Sequence, residues 1–380
     1  MKMSIIGIDA SRANGTHRTG VEWYTYHLLQ ALKAVIPETC HVILYSKEPL
    51  IDGLEVLPAH WESRVLAWLP RRLWTQVRLS WEMWRRPPDL LFIPAHTLPL
   101  VVPTKTLMTL HDVAFVDRPE AYTVFEQWYQ RFAIRFAVQR AEFLTVSEFS
   151  KSEIVKYFYA DPKKITVTPL GFDPAEYHHV DENDGLREKL LSHGIRRPYF
   201  LFVGRLESKK NIEGLLFAFR NFKQKRGVGD PVKLVLVGKR GVGYVRAMAM
   251  IANDNVKKDV IETGYIPQED MAAIYSGAEA LVFPSWYEGF GLPLLEAFAC
   301  GTPVIASNRT SIPEVGGDAV LYVDPANPDT ITRAMEKILN EPALKTKLVT
   351  EGTRRLENYD WKKTAELTWE VMKKILETVS

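Results

Sequence analysis

The chain has 380 residues, of which 46% are hydrophobic, 25% charged and 11% aromatic. That composition excludes a disordered, collagenous or disulfide-scaffold protein. With 48 basic against 46 acidic side chains the formal charge is +2, too small to make nucleic acid the expected ligand. At roughly 100–200 residues per domain, the length suggests two domains. Cys40 and Cys300 stand in unrelated contexts, which fits free thiols in a reducing compartment rather than a metal or redox pair.

Between Met1 and Ala10 the only apolar run is short and ends at Asp9. It reads as a buried first strand, not a signal peptide. No window reaches the ~18 apolar residues of a spanning helix. The expectation is a cytoplasmic protein whose membrane contact would be peripheral.

In chain order, apolar runs predict strands at 4–8, 41–45, 89–93, 106–109 and 142–146. A second set follows at 199–203, 233–237, 260–263, 280–283 and 302–306. Most are continuous rather than alternating, as in parallel sheets covered on both faces. Tyr24, His27, Leu28, Ala31 and Leu32 form a helical stripe after the first strand. Between Trp61 and Pro88 lie five of the ten tryptophans and six arginines against two glutamates. Trp74, Val77, Trp81 and Trp84 are spaced to share one helical face, suited to an anionic membrane surface or to packing within the domain. Ser150-Lys151-Ser152-Glu153 reads as a capping box opening another helix. The polar stretch 171–197 reads as an interdomain linker with one short helix, and its Asp181-Glu182-Asn183-Asp184 run as solvated surface. Ala365, Trp369, Met372, Leu376 and Val379 predict an amphipathic C-terminal helix, which packing on the second domain alone could explain. No internal repeat of ~20–50 residues is visible.

The chemistry concentrates after strands. Glu288-Gly289-Phe290-Gly291-Leu292-Pro293-Leu294-Leu295-Glu296 follows the run 280–283. Pro293 suits a helix start and Gly301 its end. Free N–H groups at that start suit a phosphate, and Glu296, one turn in, suits a ribose diol. Gly204-Arg205-Leu206-Glu207-Ser208-Lys209-Lys210-Asn211 follows the run 199–203. Cations at the carboxyl end of a parallel strand suit a diphosphate. In the first half, the loop Asn14–Gly20 follows the first strand and His111-Asp112 follows the run 106–109. The chain lacks the GxGxxG and GxxxxGK[ST] phosphate loops and the GxSxG elbow, which disfavours a dehydrogenase, a P-loop NTPase and a serine hydrolase.

In this order the motifs resemble the retaining glycosyltransferases of family 4, also called group 1. The resemblance covers nearly the whole chain. It rests on Thr19-Gly20-Val21, His111-Asp112, Gly204-Arg205 with Lys210, Gly264-Tyr265-Ile266, Glu288 and Glu296 seven residues apart, and Gly301-Thr302-Pro303-Val304-Ile305-Ala306. One departure is that the first loop carries only Gly20 where the family often has two close glycines.

The resemblance implies an α/β GT-B architecture: two Rossmann-like domains with parallel sheets facing across a cleft, and a C-terminal helix crossing back to the first. The expected domains are 1–175, completed by about 362–380, and 190–361. Arg205 and Lys210 would hold the donor diphosphate and Glu296 the ribose hydroxyls. The backbone of Phe290, Gly291 and Leu292 would meet sugar and phosphate, while Glu288 would hold the transferred sugar. Tyr265 and Ile266 would present backbone groups to the base. Gly20 would sit in a substrate-contacting loop, and His111 would touch the sugar or the departing phosphate oxygen.

The implied reaction moves a hexose from a nucleotide sugar to a glycan or lipid-linked saccharide, with retention, no metal and no cofactor. GDP-mannose is the preferred donor, from the His-Asp and Ser147-Glu148-Phe149-Ser150 contexts, with UDP-glucose or another hexose donor as the alternative. An epimerase or phosphorylase of the same architecture, or a non-catalytic sugar-nucleotide-binding partner, are the competing functions.

Overall fold

The structure is a computed structural model that describes residues 3–15, 18, 20–69, 73–227, 229–252 and 255–378. It divides into two units. One comprises residues 1–117, 122–171 and 360–380. The other comprises 118–121 and 172–359.

The first unit holds a seven-stranded parallel sheet. Its strands are β1 (Ser4–Asp9), β2 (Cys40–Ser46), β3 (Trp61–Val65), β4 (Leu90–Ile93), β5 (Thr106–Thr109), β6 (Glu142–Thr145) and β7 (Ile165–Val167), in the order β3-β2-β1-β4-β5-β6-β7. Ile6 pairs with Val42 on one side and Leu90 on the other. The second unit holds β8 (Tyr199–Val203), β9 (Lys233–Val237), β10 (Val260–Gly264), β11 (Ala280–Phe283), β12 (Val304–Ser307) and β13 (Val320–Val323), in the order β10-β9-β8-β11-β12-β13 and again parallel throughout. Central strands such as β4, β5 and β11 are buried at every position, because helices cover both faces of each sheet.

The apolar runs predict ten of these strands. The three unpredicted ones, β3, β7 and β13, are all edge strands. β3 reads Trp-Glu-Ser-Arg-Val, and only Trp61 is fully buried. An edge strand half in water has no need of the continuous apolar run that marks an interior one.

Local structure corrects two sequence readings. The helix Glu148–Phe158 starts earlier than the predicted box at Ser150: Ser147 is its cap and accepts from the Ser150 N–H at 3.0 Å. The tryptophan-rich segment is not one face. Trp74–Leu79 is a π-helical turn followed by the helix Ser80–Arg85, and the wider turn breaks the 3.6-residue register. Trp74 and Trp61 are buried, Trp68 is half-buried, and Trp81 and Trp84 are exposed. The Trp74 indole N–H donates to the Leu66 carbonyl at 2.7 Å. Arg71 and Arg72 of this segment lie outside the described residues.

The C-terminal helix Trp361–Glu377 belongs to the first unit, not the second. Its buried stripe is Trp361, Thr364, Ala365, Thr368, Val371, Met372 and Ile375. Ala365 and Met372 are as predicted, but Trp369 and Leu376 flank the stripe half-buried, and Val379 lies outside the described residues. The helix packs on Gly20–Leu32, where Trp361 stacks on His27 with centroids 5.2 Å apart. Lys105 Nζ donates to the Leu376 carbonyl at 2.7 Å and Thr364 Oγ1 to the Pro169 carbonyl at 2.6 Å. Gly171 must be glycine, because a Cβ there would lie 2.2 Å from the Trp361 backbone nitrogen.

Candidate functional site

In an open parallel sheet, ligands bind outside the carboxyl ends of the strands where the strand order reverses. In the second unit that point lies between β8 and β11. The segment 204–211 leaves β8 and the segment 284–291 leaves β11, so the two sequence motifs flank the switch point. The Trp286 N–H donates to the Lys209 carbonyl at 2.9 Å and ties them together.

Three glycines shape the same edge. Gly204, Gly238 and Gly264 end or follow β8, β9 and β10 with φ of 141°, 139° and 72°. The Gly204 N–H donates to Val237 O at 3.0 Å and the Gly238 N–H to Gly264 O at 2.9 Å. A Cβ on Gly238 would meet the Gly204 carbonyl oxygen at 2.1 Å.

Lys210 and Glu288 are brought together. Lys210 Nζ donates to Glu288 Oε1 at 2.6 Å and Oε2 at 2.7 Å, and lies 5.4 Å from the centre of the Phe283 ring. The loop carrying Glu288 is pinned from behind. Its N–H donates to Thr310 Oγ1 at 3.2 Å, while Ser311 Oγ lies 2.9 Å from Glu288 O and 3.0 Å from Phe290 O. Sequence reading missed Thr310 and Ser311. Ser311 before Ile312-Pro313 looks like an ordinary helix cap, yet its hydroxyl makes no capping bond and turns to the Glu288 loop instead.

Gly291, at φ 113°, is the cap of the helix Leu292–Ala299. Phe290 is buried edge-on to Tyr359 at 5.7 Å, and Leu292 is half-buried. Arg205 is more open, its side chain 64% exposed and its Nε 3.4 Å from Glu207. Glu296 is half-buried and accepts from the Tyr275 and Tyr177 hydroxyls. Burial pushes its carboxyl pKa up, and the two hydroxyls oppose that rise. Neither tyrosine stands out in the sequence. Tyr265 is half-exposed beside buried Ile266 at the end of β10.

Two predicted residues lie in the first unit. Gly20 is exposed and opens the helix Gly20–Leu32; Thr16, His17 and Thr19 of its loop lie outside the described residues. His111 follows β5 and is buried, edge-on to Tyr24 at 4.5 Å and stacked on His96 at 5.1 Å. Ser150 Oγ donates to its carbonyl at 3.0 Å. Burial foremost, then His96, pushes the imidazole pKa down to about 3, against the opposing influence of Asp112 and a hydrogen bond to the Pro94 backbone. Nε2 has no protein partner, so the hydrogen bond to the Pro94 backbone is donated by Nδ1–H to the carbonyl, which leaves Nε2 as an acceptor. Among the described residues, no group of three His, Cys, Asp or Glu side chains is placed to hold a metal ion, and no helix is long and apolar enough to cross a membrane.

The family model for glycosyl transferases group 1 matches residues 188–355, and that for glycosyltransferase family 4 matches residues 18–176. The O-antigen chain mannosyltransferase B of Escherichia coli is 30% identical over 365 residues, 90% of this chain and 93% of the relative. The chain belongs to the group 1 glycosyltransferases.

Among solved structures, this group 1 glycosyltransferase is similar to sucrose-phosphate synthase from Thermosynechococcus elongatus, with TM-score 0.74, 20% identity and 98% and 99% of the two chains covered. It is also similar to Anabaena HepE in complex with UDP and glucose, with TM-score 0.74, 15% identity and 98% and 99% coverage. These similarities give the GT-B fold, here with parallel sheets of seven and six strands.

Proposed function

We propose that this glycosyltransferase moves a mannosyl group from GDP-mannose to a saccharide acceptor, glycan or lipid-linked, with retention of anomeric configuration. The observation that carries the transfer chemistry is the Lys210–Glu288 pair beside the helix start at Gly291, on the switch point of the second sheet. The mannosyl donor is supported by the O-antigen mannosyltransferase relative, with UDP-glucose as the alternative.

In this reading Lys210 and Arg205 hold the diphosphate, and the N–H groups of residues 290–292 meet it as charge develops on the leaving oxygen. Glu296 takes the ribose diol and Glu288 the sugar hydroxyls. Tyr265 and Ile266 offer backbone groups to the base. His111, neutral with Nε2 as an acceptor, accepts a hydrogen bond from a hydroxyl of the sugar. No protein nucleophile is assigned. A phosphate oxygen of the leaving group accepts the proton of the acceptor hydroxyl as the new bond forms on the same face, and neither metal nor cofactor is required. The free buried thiols Cys40 and Cys300 support a cytoplasmic location, and a lipid-linked acceptor would bring the enzyme to the inner membrane face.

The test is a panel of radiolabelled GDP- and UDP-sugars with product analysis and the anomeric configuration read by NMR. Transfer from GDP-mannose giving the α-anomer is expected. An inverted product, or isomerised sugar nucleotide without transfer, would overturn the reading.

A further inference from the structure

The helix Val124–Val138 turns an aromatic face outward. Its inner side supplies Ile134 and Ala137 to the core of the first unit. On the other side Phe125, Trp128 and Phe132 are 70%, 61% and 52% exposed. Their rings and that of Phe136 follow one another along the helix, with centroids 6.3, 5.9 and 6.4 Å apart. At 1.5 Å rise per residue the ladder is ~16 Å long.

Charge on this face has one sign. Arg135 is exposed between the rungs, seven residues after Trp128, and the Arg140 guanidinium lies 4.0 Å over the Phe136 ring. The helix contains one acid, Glu126, which is committed to its own start and accepts from Thr123 N and Oγ1 at 2.8 Å each. The segment 74–85 touches the helix where Gln76 Nε2 donates to the Tyr129 hydroxyl at 2.6 Å, and it carries a second exposed ring pair, Trp81 and Trp84, 5.3 Å apart beside exposed Arg85 and Arg86.

Exposed aromatic surface of this extent marks a contact with something apolar. Rings interleaved with arginines and without carboxylates match the headgroup layer of an anionic bilayer, where ring bodies enter the acyl boundary and guanidiniums meet phosphates. A 15-residue helix is too short to span the ~30 Å hydrocarbon core. We propose that this face seats the protein on an anionic lipid bilayer, with the Val124–Val138 helix lying in the plane of the headgroups. The inference draws on the glycosyltransferase reading for its purpose, delivery of a lipid-linked acceptor, and on the face itself for its support.

The test is sedimentation of the full chain with vesicles of mixed phosphatidylglycerol and phosphatidylcholine, and of phosphatidylcholine alone, at low and high salt. The protein should pellet with the anionic vesicles at low salt. The double variant Trp128→Ser/Phe132→Ser should lower the bound fraction by at least roughly tenfold, given the ring area it removes. Arg135→Glu should lower it at low salt. Both variants should keep the wild-type melting temperature and sugar transfer to a soluble acceptor without vesicles. Vesicle binding without transfer from any sugar nucleotide would support the surface while removing the enzymatic reading. A wild-type protein that stays in the supernatant, variants that bind undiminished, or a dimer that Trp128→Ser/Phe132→Ser dissociates would overturn the proposal, the last assigning the face to a second copy.

Discussion

The Lys210 ammonium sits against both carboxylate oxygens of Glu288, 2.6 and 2.7 Å away. The two side chains are only 15% and 10% exposed, so neither has bulk water to replace a lost partner. One comes from the loop after β8, the other from the loop after β11. Their pairing therefore joins the two sides of the switch point, and on the proposed function it holds ready the cation that meets the donor diphosphate.

Removing one member should strand the other. Lys210→Ala is expected to lower kcat/KM by about 10²–10³-fold, as for loss of a group that meets developing charge. Lys210→Met and Glu288→Gln should each lower the melting temperature, and the double variant should lose less stability than the two single losses together. Additive losses in thermal denaturation would show that the two residues are not coupled.

His111 should leave its mark on acid stability. Its imidazole titrates near 6.5 when unfolded and at about 3 when folded, so on acidification the unfolded chain takes up the proton first. The stability that depends on the neutral ring is complete above pH 6.5 and is lost as pH falls towards 3, with a slope of at most about 1.4 kcal/mol per pH unit. Urea midpoints measured across this window should fall less steeply for His111→Gln than for wild type. Equal slopes would count against the buried neutral imidazole.

Gly238→Ala should destabilise strongly although it adds one methyl group. The new Cβ would meet the Gly204 carbonyl, a backbone atom, at 2.1 Å and would require φ near 139°. A loss of more than about 3 kcal/mol is expected from strain and displaced strand ends. Gly204 itself has only the Phe202 ring nearby, at 3.7 Å, so Gly204→Ala should cost less. Denaturant titration of both variants orders them.

Tyr275→Phe should move a pH profile rather than abolish turnover. The Tyr275 hydroxyl is one of two that oppose the burial-driven rise in the Glu296 pKa. Without it the carboxyl should ionise at higher pH, and the acid limb of kcat/KM should shift upward. An unchanged limb would mean that ionised Glu296 does not serve donor binding.

Chelation gives a further check on the proposed chemistry. Transfer should persist in excess EDTA, because Lys210, Arg205 and helix N–H groups are assigned the work of neutralising the leaving group. Loss of activity restored by magnesium or manganese would reassign that work to a metal.

The sequence alone determined the interior of each sheet and the segments that carry the chemistry. Strands buried on both faces favour apolar side chains, so β4 and β11 are legible as bare runs, and β5 departs from that only at Thr106 and Thr109, whose hydroxyls find partners. Gly204–Asn211 and Glu288–Glu296 stand out because glycines and charges interrupt that pattern where strands end. Residues whose role depends on a partner far along the chain were not legible. Ser311 reads as a cap and acts as a clasp, because its hydroxyl finds two carbonyls more than 20 residues away. The edge strands β3, Trp-Glu-Ser-Arg-Val, and β7, Ile-Thr-Val, left no continuous apolar run, whereas β13, Val-Leu-Tyr-Val, is such a run that sequence reading passed over. Periodicity also finds an apolar stripe without saying what covers it. Trp74 and Trp81 share an expected face, but a π-helical turn buries one and exposes the other, and only tertiary packing turns the rings of Val124–Val138 towards solvent while Ile134 and Ala137 fill the core.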